Sequence, residues 1–233
     1  MPNKPKKTAL YDYHIANSNN VVDFSGFYLP VFYSGIIDEH RAVRKKAALF
    51  DVSHMGQLII SGKESEKFVQ AVTTNDVSKL NSGQAQYSAI CNELGGLIDD
   101  VIVYKRKSDY MIVVNASGIE KKYKWLKSAS TKSVQIENRS NELSMIAIQG
   151  PLSRKIIQAN TSVDISKLKF YNFIESIDFL GFTILLSRTG YTGELGYEIY
   201  CSNEATSYIW NSILEEYKST GVKPAGLGSR DTL

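Results

Sequence analysis

Two apolar runs, Gln57-Leu-Ile-Ile-Ser-Gly62 and Ser144-Met-Ile-Ala-Ile-Gln-Gly150, each end in glycine and lead into a helix-like stretch. They constrain the fold because the downstream pattern is the same in kind both times. After the first come a helix over 63–72, strand patterns at 85–91, 97–104 and 110–115, and an amphipathic helix over 117–127. After the second, a helix opens on Pro151, the favoured first helical position. Strand patterns at 174–179, 182–187 and 196–201 and a helix over 204–217 come next. Strand–helix–strands–helix read twice predicts an α+β protein, with two related units, mainly antiparallel sheets and a central cleft where the copies meet. The expected organisation is an N-terminal segment, 1–55, packing on the first unit, then a first unit over 56–143 and a second over 144–233. In that segment a strand at 20–24 precedes a helix over 36–47, and Phe50 to Gly56 reads as a loop entering the next strand.

Composition narrows the class. A hydrophobic fraction of 43% with 22% charged residues is that of an ordinary soluble globular protein. A net charge of +3 is too mild for a dedicated nucleic-acid binder. Cys91 and Cys201 lie in apolar strand-like runs and read as buried free thiols, not as a disulfide framework or a metal site. No apolar run approaches membrane-spanning length, and no signal-type apolar segment comes after the basic start, so a cytoplasmic protein without a membrane partner is expected. Gly226 to Leu233 reads as the opening of a helix with Ser229 as its N-cap, which suggests a fragment of a longer protein.

The densest chemistry lies in Arg188-Thr-Gly-Tyr-Thr-Gly-Glu-Leu-Gly-Tyr-Glu198. Its glycines permit tight turning and close approach, its tyrosines offer flat faces, and Glu198 can accept from a row of N–H donors. The segment suits a planar, nitrogen-rich molecule. A second segment places Asp99 and Asp100 after the Gly95-Gly96 hairpin signal. Strand neighbours face opposite ways, so only one of the two can face a given pocket; taken alone, a capping aspartate beside a solvated one fits as well. Alone, His54 reads as a hydrogen-bonded buried histidine and Tyr87 as an ordinary strand tyrosine. Lys121, Lys122, Lys124 and Lys127 read as a solvated helix face or, more sharply, as a docking face for an acidic partner. His14, His40 and His54 lack metal-ligand spacing, and no nucleophile elbow, phosphate loop or dinucleotide fingerprint occurs.

Taken together, nine segments resemble one family in order: Val22-Asp-Phe-Ser-Gly-Phe, Ile37-Asp-Glu-His-Arg-Ala-Val-Arg, Leu49-Phe-Asp-Val-Ser-His-Met, Thr74-Asn-Asp-Val, Gly95-Gly-Leu-Ile-Asp-Asp, Val114-Asn-Ala, Met145-Ile-Ala-Ile-Gln-Gly-Pro, the 188–198 segment, and Pro224-Ala-Gly-Leu-Gly-Ser-Arg-Asp-Thr-Leu. The chain is similar to the aminomethyltransferases, the T-proteins of the glycine cleavage system. The resemblance implies a cloverleaf-like body that binds tetrahydrofolate in its central cleft, without a metal. It implies transfer of a one-carbon unit from the aminomethyl-lipoyl arm of H-protein to tetrahydrofolate, with release of ammonia. Carried over by position, Asp100 would stand beside the reacting folate nitrogens as the catalytic carboxylate. Glu198 would hold the pterin, Tyr191 would contact its ring and Arg230 would bind substrate. Met55, Tyr87 and Asn115 would line the same pocket. Family members continue past Leu233 into a mostly β domain that this sequence lacks; if the sequence is the whole molecule, reduced activity and folate affinity are expected.

Three other readings compete. The folate-binding portion of a sarcosine- or dimethylglycine-type oxidoreductase would come after a flavin domain, and no dinucleotide fingerprint precedes Val22. A non-enzymatic folate module of the kind that assists iron–sulfur assembly fits less well with both Asp100 and the 191–198 segment present. Nucleic-acid binding rests on mild basicity alone.

Overall fold

The computed structural model describes residues 4–233. In chain order its elements are α1 (Tyr11–Asn17), β1 (Val21–Phe24), β2 (Phe27–Pro30), α2 (Ile36–Lys45), β3 (Ala48–Asp51), β4 (Gly56–Ser61), α3 (Ser65–Val72), β5 (Gln84–Cys91), β6 (Leu97–Lys105), β7 (Tyr110–Val114), α4 (Ile119–Ala129), β8 (Gln135–Asn138), β9 (Leu143–Gln149), α5 (Ser153–Ala159), β10 (Phe173–Phe179), β11 (Phe182–Ser187), β12 (Gly196–Ser202), α6 (Asn203–Glu216), β13 (Lys223–Ala225) and α7 (Leu227–Thr232). They form two compact units. One holds the chain through His54 with Leu143–Phe170 and Ile174–Leu233; the other holds Met55–Glu142 with Tyr171–Phe173.

In the Met55–Glu142 unit the sheet runs β5-β6-β7-β4-β8. All its neighbours are antiparallel. Leu58 and Ile60 alternate inward along β4, as a half-buried strand requires. Phe68, Val69 and Val72 of α3 and Leu126 of α4 pack with them in one core. Full burial of each such side chain contributes on the order of 1.5–3 kcal/mol.

The other unit carries the sheet β10-β11-β12-β9-β3-β13. Ile209, Trp210 and Ile213, on one face of α6, close its core with Ile146 and Ile148 of β9 and Ile199 of β12. The runs β5-β6-β7-β4 and β10-β11-β12-β9 share one plan, in which the third strand pairs with the strand that opens the repeat. The repeat read in the sequence is thus present as an α+β fold with mainly antiparallel sheets. One pair departs from that rule, β3 with β13, which is parallel.

Several local expectations change. The N-terminal segment, expected with the first unit, groups instead with residues 143–233: β3, whose Phe50 and Asp51 read as loop, pairs with β9 on one side and β13 on the other. Pro151 lies in a turn and α5 begins at Ser153. Ser229 is no N-cap; it is buried inside α7, donating from Oγ to the Gly226 carbonyl at 2.9 Å, and Gly226 holds the cap position. Cys91 is half-buried, while Cys201 is buried and its thiol is pushed up to about 11 by burial. Among the described residues no helix is long and apolar enough to cross a membrane, and no three His, Cys, Asp or Glu side chains gather as a metal site.

Candidate functional site

The 188–198 segment is built around one buried amide. Gln149, at the end of β9, is fully buried. Its Nε2 donates to the Thr189 carbonyl at 3.3 Å and its Oε1 accepts from Thr192 Oγ1 at 2.8 Å. A β-carbon at Gly190 would stand 2.3 Å from Gln149 Oε1, and one at Gly196 2.1 Å from it. Gly190 also has φ +155°, which disfavours any side chain. The glycine spacing in the sequence is therefore the imprint of an amide that fills the turn. From another side Arg44 donates to the Thr192 carbonyl at 2.7 Å and pairs with Glu194 at 3.1 Å. A turn held from both sides is pre-organised, which lowers the entropic cost of binding.

Tyr191, at the tip of this turn, is 38% exposed. The Arg230 guanidinium lies 4.5 Å from the centre of its ring, and Phe50 meets the ring edge-on at 6.2 Å. Among the described residues Arg230 has no carboxylate within ion-pair distance. Glu198 sits on β12, opposite Ala147 of β9 and Ser187 of β11, and is 3% exposed. Among the described residues its one hydrogen-bond donor is the neutral Thr189 hydroxyl, which in turn lies 2.9 Å from the Ser187 hydroxyl. Burial pushes the Glu198 carboxyl up to about 7, against the opposing pull of Thr189 and the Arg230 charge.

Beside Tyr191 lies a small opening lined by Phe50, Asp51, His54, Tyr191, Leu227 and Arg230, among others. Asp51 is fully occupied there. Its Oδ2 accepts from Thr8 Oγ1 at 2.7 Å and lies 2.8 Å from His14 Nε2, while its Oδ1 accepts from the Ser53 amide at 2.9 Å. Burial would raise its pKa, but these bonds and the His14 charge outweigh it and hold the carboxyl below its ordinary value. Tyr33 extends the network, its hydroxyl 2.8 Å from His14 Nδ1. His54 is 1% exposed, and among the described residues its Nδ1 has no hydrogen-bond partner. The reading of His54 as a hydrogen-bonded buried histidine fails on that atom.

In the other unit the paired aspartates separate as strand geometry requires. Asp99 is buried and forms a 2.6 Å ion pair with Lys122, both side chains under 10% exposed. Asp99 Oδ2 also accepts from the Asn115 amide at 2.9 Å, and its Oδ1 from Asn115 Nδ2 at 3.0 Å. Lys122 reaches the Asn115 carbonyl at 2.8 Å. Lys122 is thus not part of the solvated lysine face; it turns inward to neutralise Asp99, while Lys121, Lys124 and Lys127 stay exposed. Asp100 points the other way and is exposed, and its Oδ1 accepts from Asn115 Nδ2 at 2.8 Å. Tyr87 lies on the same face, since Ala89 is opposite Asp100 and Tyr87 is two residues along. The Asp100 charge raises the Tyr87 phenol above its ordinary pKa.

Glu198, Tyr191 and Arg230 therefore share one unit, and Asp100, Asn115 and Tyr87 form a cluster in the other. Met55 is half-buried just past the boundary, and the role of its carbonyl is to accept from Gln57 Nε2 at 2.8 Å. Sequence reasoning did not single out Gln149, Arg44 or Thr189. The one trace of Gln149 was a polar residue closing an apolar run, ahead of glycines spaced by threes.

This geometry has relatives. A family model described as the GCVT N-terminal domain matches residues 10–233, and the chain belongs to that family. It is 49% identical over 230 residues to an aminomethyltransferase of Caldanaerobacter subterraneus subsp. tengcongensis, covering 98% of this chain and 62% of that protein. It is 47% identical to one from Anoxybacillus flavithermus, covering 98% and 63%. The chain thus spans less than two thirds of these relatives' length. Its fold matches the crystal structure of glycine cleavage system aminomethyltransferase T from Bartonella henselae with a TM-score of 0.88 and 26% identity, over 98% of this chain and 61% of that one. Heterotetrameric sarcosine oxidase from Corynebacterium sp. U-96 shares the fold, with a TM-score of 0.63 at 14% identity over 93% of this chain and 96% of its own.

Proposed function

We propose that this chain handles tetrahydrofolate in an aminomethyltransferase of glycine cleavage, accepting a one-carbon unit from the lipoyl arm of H-protein. The observation that carries the reading is Glu198, a buried carboxylate on a held strand whose one donor among the described residues is a neutral hydroxyl, next to a tyrosine ring backed by a guanidinium that meets no carboxylate among them. A pterin presents ring and amino N–H groups side by side, which suit such an acceptor. The names and lengths of the relatives support the same reading. The proposed compartment is the cytoplasm.

Tetrahydrofolate supplies two nucleophilic nitrogens. Both bond to the transferred carbon as its bonds to sulfur and to the amino nitrogen break, and their two protons leave with the lipoyl thiol and with ammonia. No electrons are exchanged with an outside acceptor. Positive charge builds on the carbon during transfer, and we assign its stabilisation to Asp100. Asn115 fixes that carboxylate, and Tyr87 flanks it. Glu198, Tyr191 and Arg230 are assigned to holding the ring. Met55 is assigned to the pocket wall.

Incubated with aminomethyl-loaded H-protein and tetrahydrofolate, the protein is expected to form methylene-tetrahydrofolate. Asp100→Asn is expected to lower turnover by about 10²–10³-fold while folate binding stays within a few-fold. Undiminished turnover in that variant would remove Asp100 from the chemistry.

A further inference from the structure

We infer that His54 is a ligand-contacting residue whose imidazole supplies a hydrogen bond to the polar edge of the bound heterocycle; this rests on the folate reading above. His54 comes just after β3 and lines the opening that also holds Tyr191 and Arg230. It is 1% exposed, its ring packs edge-on against Phe24 at 5.4 Å, and its buried Nδ1 has no hydrogen-bond partner among the described residues. A buried polar atom left in that state is unfavourable, so it calls for an explanation beyond packing.

The neighbouring groups do not supply the partner. Asp51 is the nearby carboxylate, and its oxygens are taken by Thr8, His14 and the Ser53 amide. Burial, against the opposing pull of the Asp51 charge and with a smaller push from the Arg230 charge, lowers His54 to about 4 and keeps the imidazole neutral, while Arg230 itself carries donors. A neutral imidazole offers one donor and one acceptor, while Arg230 offers donors alone. The two line one opening and complement a planar ring that carries a carbonyl acceptor and a further polar nitrogen. A ring that lacks the second polar group leaves the imidazole unpaired and binds less tightly.

The test measures two properties of the same variants. Calorimetric titration with 5-formyl-tetrahydrofolate, a stable folate, is run on the wild-type chain, His54→Phe, His54→Gln and Glu198→Gln. Urea denaturation is run alongside. His54→Phe removes the unpaired nitrogen, so its stability is expected to hold or rise while its affinity falls at least tenfold. His54→Gln, which restores a donor and an acceptor, is expected to recover part of that loss. Affinity in His54→Phe within twofold of wild type, as a water-satisfied imidazole would give, overturns the inference. A loss of stability with the ligand affinity of the folded fraction unchanged also overturns it. Should His54→Phe not fold, the nitrogen resonances of His54 in the wild-type chain decide: they shift on saturation with 5-formyl-tetrahydrofolate if the contact forms, and stay in place if it does not. Failure of the folate reading looks different. In that case the wild type does not bind, or Glu198→Gln binds as well as wild type.

Discussion

Asp99 and Glu198 are both carboxylates buried inside central sheets, and they are treated in opposite ways. Asp99 is neutralised by Lys122 at 2.6 Å and accepts two further hydrogen bonds from Asn115. Glu198 receives a single bond from the neutral Thr189 hydroxyl, and burial lifts its pKa to about 7. A buried charge normally requires a partner. Where the protein supplies one, as at Asp99, the carboxylate works as a structural anchor that orients Asn115 and, through it, Asp100. Where the protein withholds one, as at Glu198, the carboxylate keeps acceptor capacity, which on the reading proposed above serves a ligand with paired N–H groups.

The comparison breaks most visibly at Lys122. Lys122→Ala would leave Asp99 buried without its counter-charge, and a loss of about 3–5 kcal/mol in unfolding free energy is expected. Chemical denaturation reads it directly; a loss within about 1 kcal/mol would mean that Asp99 does not depend on the pair. Glu198 should behave in the reverse sense, since Glu198→Gln removes a charge that resists burial.

The pH dependence separates the two kinds of site further. The folded pKa of Glu198 stands above its ordinary value of 4.5, so between 4.5 and about 7 the folded state binds more protons than the unfolded one. Its contribution is favourable below 4.5 and is lost as pH rises through that window, by roughly 3 kcal/mol at most. Asp51 runs the other way. Its folded pKa is depressed, so its contribution is present above 3.8 and is lost as pH falls. Urea midpoints between about pH 5 and pH 7.5 should therefore decline in the wild type relative to Glu198→Gln. Parallel profiles would contradict the raised pKa.

A smaller effect is expected from the turn. Gly196→Ala would set a β-carbon against the Gln149 amide and should cost about 1–3 kcal/mol. Adding Gln149→Ala should relieve part of that cost, because the clashing atoms are gone. If the double variant is no more stable than Gly196→Ala alone, the turn is not built around that amide.

Much of this was legible in the sequence, and the limits have physical reasons. The repeat was visible because strands and amphipathic helices leave periodic patterns, and runs such as β6 and β9 are long enough to read. β3 was hidden because Phe50 and Asp51 flow into a polar, loop-like stretch; its strand character comes from partners about a hundred and more residues away, on β9 and β13. Lys122 looked solvated because its neighbours Lys121 and Lys124 are, and the inward turn depends on Asp99 across the fold. Glu198 and the tyrosine-bearing turn stand out from local pattern, while the roles assigned to Arg230 and Asp100 come from the motif resemblance. Local pattern alone left the choice between Asp99 and Asp100 open, and the structure separates them by burial. His54 could not be read from sequence, since a histidine with a hydrogen-bond partner and one without it are spelled alike.

On the proposed reading, Glu198 is left under-satisfied to receive a ligand. The most direct test is the affinity of wild type and Glu198→Gln for 5-formyl-tetrahydrofolate, measured by calorimetry at about pH 8, where Glu198 is ionised. The variant is expected to bind about 10–100-fold more weakly, the worth of a charge-assisted hydrogen bond, with no loss of folding stability. Equal affinity in the two proteins would contradict it.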